Sequence, residues 1–149
     1  MDGVNRALQK AAKLEEENRS TYDIYAAITT HIGLKRLLSG LMDAAKDHLQ
    51  ELEDFRRDND PAVVFDATKA ASIGRLEDAD VEYAFDASME YIDFLRMIYE
   101  RETALAHVYD ALAGAAADRD TEYFFRRLAE EGRKHAWLVR DRYELETLQ

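Results

Sequence analysis

Pro61 is the only proline in this chain, and just six glycines accompany it across 149 residues. A proline inside a helix costs about 3 kcal/mol and a glycine about 1 kcal/mol relative to alanine. A chain this poor in both has few points at which a helix must end. Ala, Leu, Glu, Lys and Arg are abundant on both sides of Pro61, and these are the strong helix formers. The chain therefore reads as all-α. Its length suits one domain, 1–149, able to bury a real core.

Apolar residues recur at three- and four-residue steps in four long segments, the signature of amphipathic helices. The first runs from about Val4 to Thr29, with Leu8, Ala11, Ala12, Glu15, Tyr22 and Ala26 on one face. Thr29-Thr30-His31-Ile32-Gly33 reads as a turn, because β-branched residues and glycine both disfavour continuation. The second runs from about Leu34 to Phe55, with an inner stripe of Leu34, Leu37, Leu38, Leu41, Ala45, His48, Leu52 and Phe55. Asn59-Asp60-Pro61 ends it. From Pro61 to about Ala79 the pattern is irregular, with a short helix expected over Ala62 to Ala71 and a break at Gly74. The third helix is expected to start near Asp80 or Asp86, either a possible cap, and to continue to about Ala117. Its stripe is Ile92, Leu95, Ile98, Glu102, Leu105, Tyr109 and Ala113. Asp118-Arg119-Asp120-Thr121 is the next turn. The fourth helix, about Glu122 to Leu145, turns Phe124, Phe125, Leu128, Gly132, His135, Leu138 and Val139 inward. The expectation is a four-helix bundle with a long crossover between helices 2 and 3, since up-and-down bundles use short loops.

The two halves repeat at an offset of 87 residues: Glu15/Glu102, Tyr22/Tyr109, Asp23/Asp110, Ala26/Ala113, Leu41/Leu128, His48/His135 and Asp54/Asp141. These are seven identities among forty pairs, with no gap across the helix–helix turns. In each half the tyrosine follows the glutamate by seven residues and the histidine by thirty-three. The polar residues match better than the apolar ones. The chain thus reads as two copies of one helical hairpin around a pseudo-two-fold axis.

A net charge of −11 argues against nucleic acid and anionic membranes, which demand basic patches. The absence of cysteine excludes disulfides, thiolate metal sites and thiol chemistry. No uncharged apolar run approaches the ~20 residues of a membrane span, and Met1 to Arg6 carries no signal-peptide pattern. A cytoplasmic protein is the expectation. No Gly-rich phosphate loop or nucleophile-elbow serine occurs.

Glu15, Glu102, His48 and His135 all sit inside apolar stripes. A carboxylate buried without a partner is costly. Two carboxylates and two imidazoles meeting at one level of a bundle invite a metal ion. They can instead form Glu–His ion pairs, with a proton in the metal's place. Tyr22 and Tyr109 are placed to hydrogen-bond the carboxylates, or to pack as ordinary inner-face tyrosines. His31 and His107 lie off the pattern and read as surface residues. Phe55, Phe65, Phe85, Phe94, Phe124, Phe125, Trp137 and the remaining tyrosines read as core or interface.

The pattern Glu15…Tyr22…His48, repeated as Glu102…Tyr109…His135, resembles the rubrerythrin and ferritin-like superfamily. The strings Ala11-Ala12-Lys13-Leu14-Glu15-Glu16-Glu17 and Glu100-Arg101-Glu102-Thr103-Ala104 resemble that family's first and third helices. The resemblance covers roughly Leu8 to Asp141 apart from the crossover. It implies a ferritin-like fold, a di-iron carboxylate site inside the bundle, homodimeric association, and oxidation chemistry with oxygen or peroxide. The family's pattern takes a Glu from each of helices 1 and 3 and a Glu-x-x-His from each of helices 2 and 4. Here Ala45 precedes His48 and Gly132 precedes His135 at the glutamate positions, again 87 apart. The metal ligands implied are therefore Glu15, His48, Glu102 and His135, with Tyr22 and Tyr109 behind the carboxylates. Two Glu and two His suit one four-coordinate ion, zinc or ferrous iron, better than two irons, which want bridging carboxylates. Glu51, Glu131 and Asn18 are the residues that could turn inward to complete the set, although the surface is their expected place. Small residues at 45 and 132 leave room for close helix approach or a bound small molecule.

Two functions follow as expectations. One is a metal-binding, rubrerythrin-like oxidoreductase of the peroxidase or ferroxidase type with an altered site, holding one or two irons or zinc and fed electrons by a redox partner. The alternative is a non-catalytic ferritin-like bundle with an interaction or structural role. An ordinary helical adaptor is a third reading.

Overall fold

A computed structural model describes residues 1–71, 73 and 85–147. Among them the chain is helical almost throughout. α1 spans Asp2–Ile28, α2 Ile32–Asp58, α3 Pro61–Val64, α4 Ala67–Ala70, α5 Tyr91–Gly114 and α6 Arg119–Thr147. The 87-residue offset holds in three dimensions: α2 begins at Ile32 and α6 at Arg119.

Several boundaries differ from expectation for local reasons. Ile32 and Gly33 lie inside α2, so the first turn is shorter than its composition suggests. Gly33 is tolerated because Arg142 lies over it: an added Cβ would stand 2.7 Å from that guanidinium. Asp86 does not cap α5; its carboxylate accepts from Ser88 N and Oγ at 2.9 and 2.8 Å, and α5 begins later, at Tyr91 behind Glu90. Asp80, the other expected cap, Gly74 and Ala79 lie outside the described residues. The helix expected over Ala62 to Ala71 is two single turns. Asp60 accepts from Ala62 N and opens α3, with Pro61 in the first turn; Asp66 accepts from Thr68 N and opens α4. Phe65 separates them, pairing across an antiparallel bridge with Ala116 at the α5–α6 turn. Asp118 accepts from Thr121 N at 2.8 Å, so the cap starts α6 three residues earlier than expected.

The long helices pack most closely as α1 on α2, α5 on α6, and α1 on α5. Their buried faces form two separate apolar clusters. One holds Leu8, Ala11, Leu52, Leu105, Tyr109, Phe125, Leu128 and neighbours. The other holds Tyr22, Leu34, Leu38, Leu41, Leu95, Ile98, Val139 and neighbours. Along every long helix the polar candidates fall at the change of cluster: Glu15 between Ala11 and Tyr22, His48 between Leu41 and Leu52, Glu102 between Ile98 and Leu105, and His135 between Ala129 and Val139. The molecule therefore has a polar layer between two dry ones. Leu138, expected inward, is 44% exposed, and Trp137 is 63% exposed. The stripe of α6 turns through Ala136 and Val139 instead.

Ala45 and Gly132 both lie buried in this middle layer. A Cβ added at Gly132 would sit 3.4 Å from Ala106 Cβ and 3.7 Å from the Glu102 carbonyl oxygen. An alanine at this place would meet α5 at ordinary contact distance, so the approach of α6 to α5 does not require the glycine.

Candidate functional site

The layer is assembled from both hairpins, and its bonds cross between them. Tyr22 of α1 donates to Glu102 of α5. Tyr109 of α5 donates to Glu15 Oε2 of α1 at 3.0 Å. Both phenols lie fully buried in the flanking apolar clusters and send only their hydroxyls into the layer. The sequence expectation that these tyrosines reach the carboxylates holds, with the added feature that each serves the opposite hairpin's glutamate.

His48 is the best-tied member. As an imidazolium it donates from Nδ1 to Glu15 Oε2 at 2.6 Å and from Nε2 to Glu131 Oε2 at 2.5 Å. Burial acts to depress its pKa, but the hydrogen bonds and charges of Glu15 and then Glu131 outweigh it and lift the ring to about 9. Burial likewise acts against the Glu131 carboxylate, yet the His48 bond, with Arg127 adding to it, holds that group below the ordinary range. His135 stands apart: its Nδ1 is 4.0 Å from Glu102 Oε2, and its side chain is 20% exposed. The two rings lie 6.1 Å apart between centroids. Burial, then the charge on His48, pushes His135 below its usual value.

Glu102 answers to burial first and to the nearby Glu15 charge second; these outweigh the Tyr22 hydrogen bond and the attraction of His48, and its pKa rises to about 8. At neutral pH this carboxyl keeps its proton. A second carboxylate charge in this layer has no cation of its own.

Of the residues expected at the surface, one reaches the site and another is buried. Glu131 reaches His48 while staying 37% exposed. Asn18, one turn beyond Glu15, is 0% exposed, and neither its Oδ1 nor its Nδ2 has a hydrogen-bond partner. Such a buried unsatisfied amide costs about 1–3 kcal/mol. The i, i+3 spacing from Glu15 is the sequence signal for Asn18. Its place next to Gly132 is the sequence signal for Glu131, while its reach to His48 depends on where α2 lies. Glu51 does not join the layer; it pairs with Arg127. Thr21 and Arg101 form a further buried contact beside it, Arg101 Nη1 donating to Thr21 Oγ1 at 2.9 Å. His31 and His107 are exposed, as expected.

The arrangement thus gathers Glu15, His48, Glu102 and His135, with Glu131 bonded to His48. Among the described residues no three His, Asp or Glu side chains group so as to hold a metal ion, and both nitrogens of His48 are turned to carboxylates. Nor is any helix among them long and apolar enough to cross a membrane. No protein-family model, curated protein or solved structure matches the chain.

Proposed function

We propose that this chain is a ferritin-like four-helix bundle, with a crossover between α2 and α5, that binds one divalent metal ion in its polar layer. Support for the topology comes from the order of the clusters along each helix. α1 and α6 run from the first cluster to the second, and α2 and α5 run the other way. A crossover that returns along the helices between α2 and α5 fits this order. Phe65, Ala70 and Ile73 pack in the first cluster and Phe85 and Met89 against the second, which fits such a return.

The observation that carries the metal reading is the meeting of two buried carboxyls, Glu15 and Glu102, with His48 and His135 in one layer. Burial and then the Glu15 charge push Glu102 toward its protonated form. A divalent ion would supply the positive charge that the pair lacks. Glu15 and Glu102 supply two negative charges, and His48 and His135 neutral nitrogens, once their protons leave. That donor set suits zinc or ferrous iron. Iron would bring electron exchange with oxygen or peroxide; zinc would bring Lewis acidity. The protein's part is to hold the carboxylates by Tyr22 and Tyr109, and to keep water out with the apolar clusters on either side. Ala45 and Gly132 stand where a second iron's carboxylates belong in the resembling family, so one ion is the stoichiometry expected.

The test is metal content per chain by mass spectrometry after anaerobic loading with ferrous iron, and separately with zinc. One equivalent, lost in the Glu15→Ala, Glu102→Ala double variant, is the expected result. No bound metal under either loading sinks the proposal. The second reading, a non-catalytic bundle, is favoured by one observation: His48 is already neutralised by Glu15 and Glu131, which gives the layer a stable metal-free form.

A further inference from the structure

The outward side of α6 is not wholly polar. Trp137 is 63% exposed, Leu138 44% and Leu145 53%. With Lys134 and Asp141 they recur at steps of three and four residues, so they share one side of the helix, opposite the buried Leu128, Gly132, Ala136 and Val139. Trp137 is the chain's only tryptophan, and among the described residues no ring or cation packs on it. Apolar residues scattered singly over a surface are ordinary, but a group on one face marks a contact surface.

The charges on this face are left over in the same way. Other arginines along α6 find acidic partners within the chain: Arg126 and Arg133 on Asp110, Arg127 on Glu51 and Glu131, and Arg140 on Glu144. Lys134 and Asp141 are exposed, and among the described residues neither side chain has an ion pair or hydrogen bond. They stand seven residues apart, about 10 Å along the helix axis, too far to pair with each other.

We infer that this face of α6 docks on the same face of a second copy of the chain, the two helices antiparallel about a two-fold axis between Trp137 and Leu138. Such an axis sets Trp137 of one copy against Leu138 of the other. The same operation sets Lys134 against Asp141 on both sides of the axis. A parallel pairing would bring like charges together, Lys134 on Lys134 and Asp141 on Asp141. The order of the charges thus selects the occupant, because the face is complementary to its own reverse. Leu145 falls at the rim, opposite Glu130. The Trp137 ring is covered at the centre of the contact, where a tryptophan contributes most. The polar layer takes no part, so this inference stands apart from the metal reading.

The experiment is sedimentation equilibrium of the full chain over a wide concentration range, with tryptophan fluorescence followed on dilution. It compares wild type, Trp137→Ala, Lys134→Glu, Asp141→Lys and the Lys134→Glu, Asp141→Lys double variant. All three positions are exposed, so the fold is kept. Wild type is expected to dimerise reversibly, its emission moving to shorter wavelength as the Trp137 ring leaves water. Trp137→Ala should weaken association at least about tenfold. Each single charge reversal acts twice in a symmetric dimer and should weaken it about tenfold. The double reversal should restore association to near wild type. A wild type that stays monomeric up to about 1 mM overturns the inference. So does a dimer indifferent to Trp137→Ala, which uses another face, and so does one that the double reversal fails to restore, which does not pair Lys134 with Asp141.

Discussion

The two hairpins carry the same three polar residues at the same spacing and put them to different use. In α1–α2, His48 is buried and paired at both nitrogens. In α5–α6, His135 is partly exposed and 4.0 Å from its glutamate. Glu102 is pushed up to about 8 while His48 is lifted to about 9 and His135 lowered. Burial differs between the hairpins, and some of the neighbours, Glu131 on His48 above all, do not repeat. At the 87-residue offset Glu131 stands against Ala44, Asn18 against Leu105, Arg127 against Gly40 and Glu51 against Leu138. Repeated residues build the layer, and unequal burial together with Glu131 sets the two halves apart. Equivalent places in the two hairpins thus hold carboxyls with different partners, Glu15 on His48 and Tyr109 and Glu102 on Tyr22.

The largest expected effect comes from exchanging the two glutamates for their neutral isostere. In metal-free protein at pH 7, Glu15→Gln strips the buried His48 cation of its inner partner and should cost about 3 kcal/mol. Glu102→Gln replaces a carboxyl that is already protonated and should stay within about 1 kcal/mol of wild type. Urea unfolding reads both; equal losses would erase the asymmetry argued here.

The histidines should act oppositely with pH. The folded pKa of His48 is raised from 6.5 to about 9, so its stabilisation is full below pH 6.5 and fades as pH rises through 9, on the order of 2–3 kcal/mol. Glu102, raised from 4.5 to about 8, adds a fall in the same direction between those values. His135 is lowered from 6.5, so its contribution is present above 6.5 and fades as pH drops below it. Stability curves of metal-free His48→Gln and His135→Gln should lose, respectively, part of the alkaline fall and part of the acid fall. Were His48→Gln to keep the whole alkaline fall, His48 would not be the cation of the layer.

Smaller differences are expected from the tyrosines. Tyr109 donates to an ion-paired carboxylate and Tyr22 to a protonated one, so Tyr109→Phe should cost about 2 kcal/mol and Tyr22→Phe about 1 kcal/mol. Thermal unfolding at pH 7 orders them; the reverse order would reverse the asymmetry between the hairpins. The smallest effect separates the equivalent small residues. Gly132→Ala places its Cβ at ordinary contact with Ala106 and should stabilise by up to about 1 kcal/mol, whereas Ala45→Gly should destabilise by about as much. A loss from Gly132→Ala would mean that α5 and α6 pack more tightly than contact distance allows.

The sequence by itself determined the long helices, the turn between each pair, and which four side chains share a level, because these follow from breakers, 3.6-residue periodicity and a repeat read along the chain. The inward places of Glu15, Tyr22, His48, Glu102 and Tyr109 were legible for that reason. Tertiary structure alone decided the rest. Phe65 meeting Ala116, Leu138 turning out, Glu131 reaching His48 and Asn18 being sealed without a partner all depend on distances between helices remote in sequence. The protonation pattern does too. Burial and neighbouring charge set it, and identical residues in the two hairpins receive different amounts of each, so no spacing rule could have said that Glu102 keeps its proton while His48 carries the charge.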